Sequence, residues 1–152
     1  MSLFVECKPD ETTAFALGVP RKQVEHALGR GRVFAQLAKR KNEVGMVDED
    51  PGSAVPSYMK SLVAEDWGYG IRVLVDKVQN NRVIVLTPRL EEWLVQTTKA
   101  AGLKLTDFGF NSDNGVQLHA EINQRLGSLE HLIEALLKAK NPAILKLQSL
   151  LK

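Results

Sequence analysis

Two short apolar runs, each ended by acidic residues, constrain what this chain can fold into. The run LFV at residues 3–5 ends in Glu6, and the run VGMV at residues 44–47 ends in Asp48 and Asp50. Apolar runs of this length are typical of buried strands. If the two strands are parallel, their acidic ends meet at one edge of a sheet, where open α/β sheets usually bind ligands.

The rest of the first hundred residues alternates between strand and helix patterns. Further strands are predicted at residues 23–26, 71–75 and 82–86, and the last two are joined through an Asn-rich segment that suits a hairpin turn. Helices are predicted to follow Pro9, to cover residues 32–41, and to run from Pro88 to Gly102. Strands interleaved with helices predict a sheet covered by helices.

The chain beyond residue 100 reads as mainly helical. Ser128 is predicted to cap a helix that runs through Lys140, and Asn141 is predicted to begin a second that runs through Leu151. We therefore expect an α/β domain over residues 1–100, with a mainly parallel sheet of four to five strands. Residues 101–152 are expected to form a helical C-terminal extension packed on the same domain.

Length and composition fit a single domain of the ordinary soluble kind. The chain has 152 residues, of which 44% are hydrophobic and 25% charged, enough to bury a core. No apolar run reaches the roughly 18 residues that cross a bilayer, so we expect no membrane partner. A single cysteine, Cys7, excludes an internal disulfide and a cysteine zinc cluster, which favours a cytoplasmic location.

The acidic strand ends suggest a magnesium site. In an extended chain Asp48 and Asp50 would point to the same side, roughly 6.5 Å apart, and would repel each other without a cation or water between them. Carboxylates are the ligands that Mg²⁺ prefers. Glu6 would reach the same edge, as would Asp10 at the start of the next helix. By itself an Asp-x-Asp pair is equally compatible with an ordinary polar turn.

A basic segment lies next to the acidic one. Residues 21–41 contain seven Lys or Arg residues and the single acid Glu25. Arg30 and Arg32 are the best candidates for phosphate contact, because a guanidinium group can bind two phosphate oxygens at once. A solvated helix face would have the same composition, and both interpretations remain open.

Three segments resemble motifs of the Toprim family. VECKPDE at residues 5–11 is similar to its opening motif, an apolar strand followed by Glu-Gly-x-x-Asp. VGMVDEDPG at residues 44–52 resembles its second motif, an apolar strand ending in Asp-x-Asp. VIVLTPRLEEWL at residues 83–94 resembles a strand-then-helix segment of small uncharacterised Toprim-like proteins, related to the nucleases of the overcoming-lysogenization-defect group. Cys7 stands where the larger family usually has glycine.

The resemblance implies a Rossmann-like, mainly parallel sheet between helices. It also implies Mg²⁺ held by Asp48 and Asp50, with Glu6 near the reacting phosphate as acid or base, and Glu91 as a further acid. Trp93, in the same segment as Glu91, is expected to be a packing residue.

Residues and resemblance together predict a Mg²⁺-dependent, nuclease-like protein that acts on phosphodiesters in nucleic-acid processing or defence. Its partners would be nucleic acid or another phosphorylated substrate, with Mn²⁺ as a possible substitute metal. The alternative is a non-catalytic module of the same fold that binds nucleic acid or a partner protein such as an ATPase. The oligomeric state is left open. The residues assigned to these roles are Glu6 and Asp10 for catalysis, Glu6, Asp48, Asp50 and Glu91 for metal, and Lys8, Arg30 and Arg32 for phosphate.

Other chemistries find less support in the sequence. The run at residues 44–49 also resembles a Walker B strand, but no phosphate-binding Gly-x-x-x-x-Gly-Lys-Ser/Thr loop accompanies it. The histidines follow no metal-ligand spacing and are expected to be surface or packing residues; they are His26, His119 and His131. Cys7 is expected to be inert and partly buried.

Overall fold

The computed structural model describes residues 1–152 and contains one six-stranded sheet. The strands are β1 (Leu3–Val5), β2 (Val24–His26), β3 (Val44–Asp48), β4 (Val63–Gly68), β5 (Ile71–Asp76) and β6 (Asn81–Leu86). Their order across the sheet is β2-β1-β3-β6-β5-β4. The first four strands in this order are parallel, and β5 pairs antiparallel with both of its neighbours, β6 and β4. The predicted α/β class with a mainly parallel sheet is confirmed.

The expected number of strands, four to five, was too low because β4 was missed. The sequence of β4, VAEDWG, lacks an apolar alternation, and five of its six residues are exposed in the structure. It lies at the edge of the sheet and pairs only with β5. A strand that buries neither face leaves no periodic hydrophobic signal in the sequence.

Seven helices accompany the sheet. They are α1 (Lys8–Ala16), α2 (Arg30–Ala38), α3 (Ser57–Lys60), α4 (Leu90–Ala100), α5 (Gly115–Glu121), α6 (Leu126–Lys138) and α7 (Pro142–Leu151). The cap of α7 is the predicted Asn141, whose side chain accepts a hydrogen bond from the Ile144 N–H. The prediction for Ser128 is wrong, because α6 begins earlier and Ser128 lies within it. Helix α2 ends at Ala38, so the last three residues of the helix predicted over residues 32–41 lie beyond it.

The two faces of the sheet are covered by different helices. On one face α1, α4, α6 and α7 pack against alternate strand residues such as Val5 and Met46. On the other face α2 and α3 pack against the residues in between, such as Phe4 and Val47. Gly45 allows α2 to approach closely, since a Cβ there would lie 2.9 Å from side-chain atoms of Val33 and Leu37.

The helices after residue 100 share the core of the sheet. Leucines and isoleucines of α6 and α7 belong to the same buried cluster as β1 and β3. The Gln148 side chain of α7 donates a hydrogen bond to the Leu17 carbonyl, and Arg82 of β6 donates one to the Leu150 carbonyl. None of the helices combines the length and apolar character needed to span a membrane.

Candidate functional site

The chain changes faces between two neighbouring strands, β1 and β3. After β1 it enters α1 on one face of the sheet, and after β3 it leads to α3 on the opposite face. Such a point opens a crevice at the carboxyl ends of the two strands, which is the usual ligand site of open α/β sheets. Glu6 directly follows β1 and Asp48 is the last residue of β3, so both lie at this crevice.

Two further acids reach the same edge from helix starts. Asp10 lies in the first turn of α1 and is 1% exposed. Glu91 lies in the first turn of α4, which follows the neighbouring strand β6, and is 5% exposed. Acidic residues in the first turn are favoured by the helix dipole. The predicted convergence of Glu6, Asp10, Asp48 and Glu91 on one edge is therefore what the fold produces.

Backbone donors hold two of these carboxylates. The Leu90 N–H, at the start of α4, donates to Asp48 Oδ1 over 2.9 Å. The Asp48 N–H donates to Glu6 Oε2 over 3.4 Å, a long contact. Asp48 therefore links the end of β3 to α4, while its backbone links the same strand to Glu6.

The electrostatics of the cluster penalise ionisation. Burial raises the pKa of Asp48 to about 9, and the negative charges of the neighbouring carboxylates add to the rise. Burial also raises the pKa of Asp10 to about 7, with Glu6 as the main charged contributor. The pKa of Glu6 rises to about 7, again mainly through burial. A cation among these groups would relieve both the burial penalty and the mutual repulsion.

Two carboxylate oxygens of the cluster are buried without a hydrogen-bond partner, Asp10 Oδ2 and Glu91 Oε2. The other oxygen of Glu91 lies 3.1 Å from His119 Nδ1 on α5. His119 is the surface residue that the sequence suggests, since its side chain is 69% exposed. Its contact with Glu91 was not predicted, because it depends on the packing of α5 against α4 rather than on any sequence spacing.

The structure departs from the expected geometry at Asp50. The extended conformation stops at Asp48, and Asp50 has a left-handed backbone with a φ of 48°. Its carboxylate accepts a hydrogen bond from Ser53 and pairs with Arg89 over 3.4 Å. The hydrogen bond from Ser53 and the charge of Arg89 hold the pKa of Asp50 below its usual range. Asp50 thus lies at the rim of the crevice, where its charge is already compensated.

The three predicted phosphate ligands lie in different places. Arg30, at the start of α2, is close enough that its charge offsets part of the rise in the pKa of Glu6 and contributes to the lowered pKa of Asp50. Lys8 is exposed at the start of α1 and pairs with Glu11 over 3.2 Å. Arg32 lines a separate cavity between β2 and α2. Arg30 is therefore the one of the three that the structure places in electrostatic contact with the acids.

Cys7 caps α1 with an extended backbone, at a φ of −150°. Any residue adopts this conformation, so the position does not require the glycine that the Toprim motif usually carries. Burial raises the pKa of the thiol above its ordinary value, and the carboxylate of Asp10 adds to the rise. Both effects disfavour the thiolate, in agreement with the inert role expected for it.

The donor set suits a hard divalent cation. No three histidine, cysteine, aspartate or glutamate side chains are grouped tightly enough to enclose a metal ion as they stand. Mg²⁺ typically takes only one or two carboxylates and keeps several waters. The unpaired oxygens of Asp10 and Glu91 are of the required type, and Asp48 lies between the elements that carry them.

Comparison with known proteins adds no relative. No protein-family model matches the chain, and searches of curated proteins and of solved structures found no match either. The function is therefore inferred from the geometry and the charges of the site itself.

Proposed function

We propose that this chain is a Mg²⁺-dependent, nuclease-like protein of the Toprim type that acts on phosphodiesters. The observation that carries the proposal is the convergence of four acids at the crevice between β1 and β3. They come from two strand ends and two helix starts, and the charges of their neighbours in the cluster help to raise the pKa values of Glu6, Asp10 and Asp48. Holding buried carboxylates together costs stability, which favours a functional reason for keeping them.

Asp48, Asp10 and Glu91 would hold the metal. Asp48 is fixed at the end of β3 by the Leu90 N–H, and the other two each offer a buried oxygen without a partner. Bound Mg²⁺ would polarise the phosphate and lower the pKa of a coordinated water. Asp50, already paired with Arg89, is better suited to bind through water at the rim than to ligate directly.

Glu6 would act as the general base or as a further ligand. Its side chain is less buried than that of Asp10, and its pKa of about 7 suits proton transfer near neutral pH. Arg30 lies on the opposite face of the sheet from α1 and contacts the loop after β3 through the Ala54 carbonyl. There its guanidinium would orient a phosphate oxygen toward the carboxylates.

A non-catalytic module of the same fold is the second candidate. The compensated charge of Asp50 favours it, because one of the two acids expected to bind metal is engaged with Arg89 and Ser53. Such a module would bind nucleic acid or a partner protein, for example an ATPase, without cleaving a bond.

Cleavage of labelled single-stranded and duplex oligonucleotides in Mg²⁺ or Mn²⁺ separates the two candidates. Asp48→Asn keeps an oxygen for the Leu90 N–H while removing the charge, so the fold should persist. We expect this substitution to lower the cleavage rate by about 100-fold or more, as expected for loss of a metal ligand. The matched control is Asp107→Asn, an exposed aspartate outside the site, which should cleave at the wild-type rate.

Equal cleavage by Asp48→Asn and wild type would show that the activity belongs elsewhere or to a contaminant. Binding without cleavage by the wild type in either metal would favour the non-catalytic module.

A further inference from the structure

An exposed tryptophan lies on the same sheet, close to the acidic crevice. Trp67 of the edge strand β4 is 62% exposed, whereas the other tryptophan, Trp93, is 1% exposed in the core. The side chain of Arg72 lies over the Trp67 ring, 4.8 Å from its centroid. An arginine on one face holds the indole in place while the ring stays largely accessible to solvent.

A continuous row of residues joins Trp67 to the crevice. Trp67 pairs with Arg72, Arg72 with Val85, and Val85 with Val47, the residue before Asp48. Three strand spacings separate the ends of this row, a distance of roughly 14–15 Å. Val47 and Val85 belong to the face covered by α2 and α3, so the indole and Arg30 lie on the same side of the sheet.

One guanidinium group, that of Arg72, lies between the ring and the crevice, and a second, that of Arg30, lies near the acids of the crevice. Arg72 lies 3.7 Å from Glu49, the residue between the two aspartates. The Nε–H groups of Arg72 and Arg30 are both buried and have no acceptor within the chain. Phosphate oxygens are the acceptors that a guanidinium group fits best. The acidic neighbour of the tryptophan, Asp66, is paired with Lys146 over 2.9 Å.

We propose that Trp67 is a stacking platform for an unpaired base, so that the phosphodiester substrate is a single-stranded nucleic acid that crosses Arg72 to reach the acidic crevice. This inference rests on the proposed function and specifies its substrate class. Stacking on an aromatic ring requires an exposed base face. A base inside a duplex has its faces covered by its neighbours, so duplex binding gains nothing from Trp67.

The edge strand is less suited to pairing with a second copy of the chain. Its register with β5 shifts between Ala64 and Asp66, and irregularities of this kind disrupt an edge. Glu65 and Asp66 also place charges on the edge, which opposes strand addition.

The test is intrinsic fluorescence in the Asp48→Asn background, where a strand can be bound in Mg²⁺ without cleavage. An oligothymidylate of about 15 nucleotides is the probe, with a duplex of mixed sequence for comparison. The single strand should quench the emission of Trp67, whereas Trp67→Phe, which leaves only the buried Trp93, should show little quenching. Fluorescence anisotropy of the labelled probe should give a Kd for Trp67→Ala about 5- to 150-fold weaker than that of the parent.

The control is Val78→Ala, which removes an apolar side chain that is 93% exposed. Val78 lies in the β5–β6 turn, at the end of the strands away from the crevice. This variant should bind the single strand as the parent does. The Kd for the duplex should be the same in Trp67→Ala and the parent.

An unchanged single-strand Kd in Trp67→Ala, or an equal loss for single strand and duplex, would overturn the platform. So would a change in sedimentation of the chain without a change in Kd, since the surface would then join two copies. Metal-dependent cleavage by the chain with wild-type Asp48 is measured separately. Cleavage that survives Trp67→Ala with an unaltered KM would reject the platform and leave the proposed function standing.

Discussion

Asp76 and Asp10 are both buried aspartates, with 7% and 1% of their surface exposed. They lie at opposite ends of the strands: Asp10 near the carboxyl end of β1 and Asp76 at the end of β5, just before the turn that precedes β6. Burial alone would raise the pKa of Asp76, but hydrogen bonds from Gln79, Tyr58 and Val78 outweigh it, and the pKa is lowered. Hydrogen bonds from the Cys7 side chain and from the backbone do not outweigh the burial of Asp10, and one of its oxygens has no partner. Its pKa is raised by burial and by neighbouring carboxylates.

The difference separates a carboxylate whose charge the fold satisfies with hydrogen bonds from one that the fold leaves short of donors. The β5–β6 turn supplies enough N–H and O–H donors to make Asp76 a fixed part of the fold. The crevice between β1 and β3 gathers acids without supplying donors for all of their oxygens. A buried carboxylate without donors destabilises the fold unless a proton or a cation compensates it.

The largest expected effect is on the pH dependence of the free energy of unfolding, which should fall both at acid pH, through Asp76, and at alkaline pH, through the acids of the crevice. Asp76 has a folded pKa below its ordinary value of 3.8, so its stabilisation is present above about pH 4 and is lost as the pH falls. Asp48, Glu6 and Asp10 have raised values. Their contribution is complete below about pH 4 and is lost as the pH rises through about 7 to 9.

Urea denaturation without divalent cations should therefore show maximal stability near pH 4 to 5. We expect the free energy of unfolding to decline on the order of 3 kcal/mol from this maximum to pH 9. A stability that stays constant from pH 5 to pH 9 would contradict the account of the acidic edge.

The next largest effect should come from Asp76→Ala. The substitution leaves the Tyr58 hydroxyl and the N–H groups of Val78 and Gln79 without their acceptor, and a buried donor without a partner is costly. We expect a loss of about 2–3 kcal/mol in the free energy of unfolding at pH 7, measured by urea denaturation. Glu134→Gln, at an exposed position of α6, should change it by less than about 0.5 kcal/mol. If Asp76→Ala lost no more free energy of unfolding than the control, the contrast between Asp76 and the acids of the crevice would fail.

The smallest effect should have the opposite sign. At pH 8 burial keeps the Asp48 carboxyl mainly protonated in the folded state, at a cost in stability because the unfolded chain would ionise it. Asp48→Asn removes this cost, since the amide is neutral in both states, and keeps the acceptor for the Leu90 N–H. In the absence of divalent cations at pH 8, we expect it to raise the free energy of unfolding by about 1–2 kcal/mol. A destabilisation of similar size would mean that Asp48, like Asp76, is held by the fold.

Much of the parallel sheet could be predicted from the sequence. The strands that carry the site, β1 and β3, are short apolar runs that the sheet buries on both faces, and such runs are visible without any tertiary information. The meeting of Glu6 and Asp48 at one edge follows from parallel pairing alone. Asp10 could be placed at the same end of the strands, because α1 begins a few residues after β1.

Other features of the site depend on contacts that no local pattern encodes. The left-handed turn at Asp50 replaces the extended geometry expected of an Asp-x-Asp pair. His119 reaches Glu91 only because α5 packs on α4. Arg30 and Arg32 look equivalent in the sequence, but the rotation of α2 brings one toward the acids and leaves the other beside β2.

The central claim is that the acidic edge between β1 and β3 binds a divalent cation, and calorimetric titration with Mg²⁺ at pH 8 tests it most directly. The wild type should bind Mg²⁺ and release protons as it does so, because the cation displaces them from carboxyls with raised pKa values. Asp48→Asn should abolish the binding, whereas Asp107→Asn should retain it. Binding of equal strength in all three proteins, or none by the wild type at millimolar Mg²⁺ with an oligonucleotide present, would contradict the account.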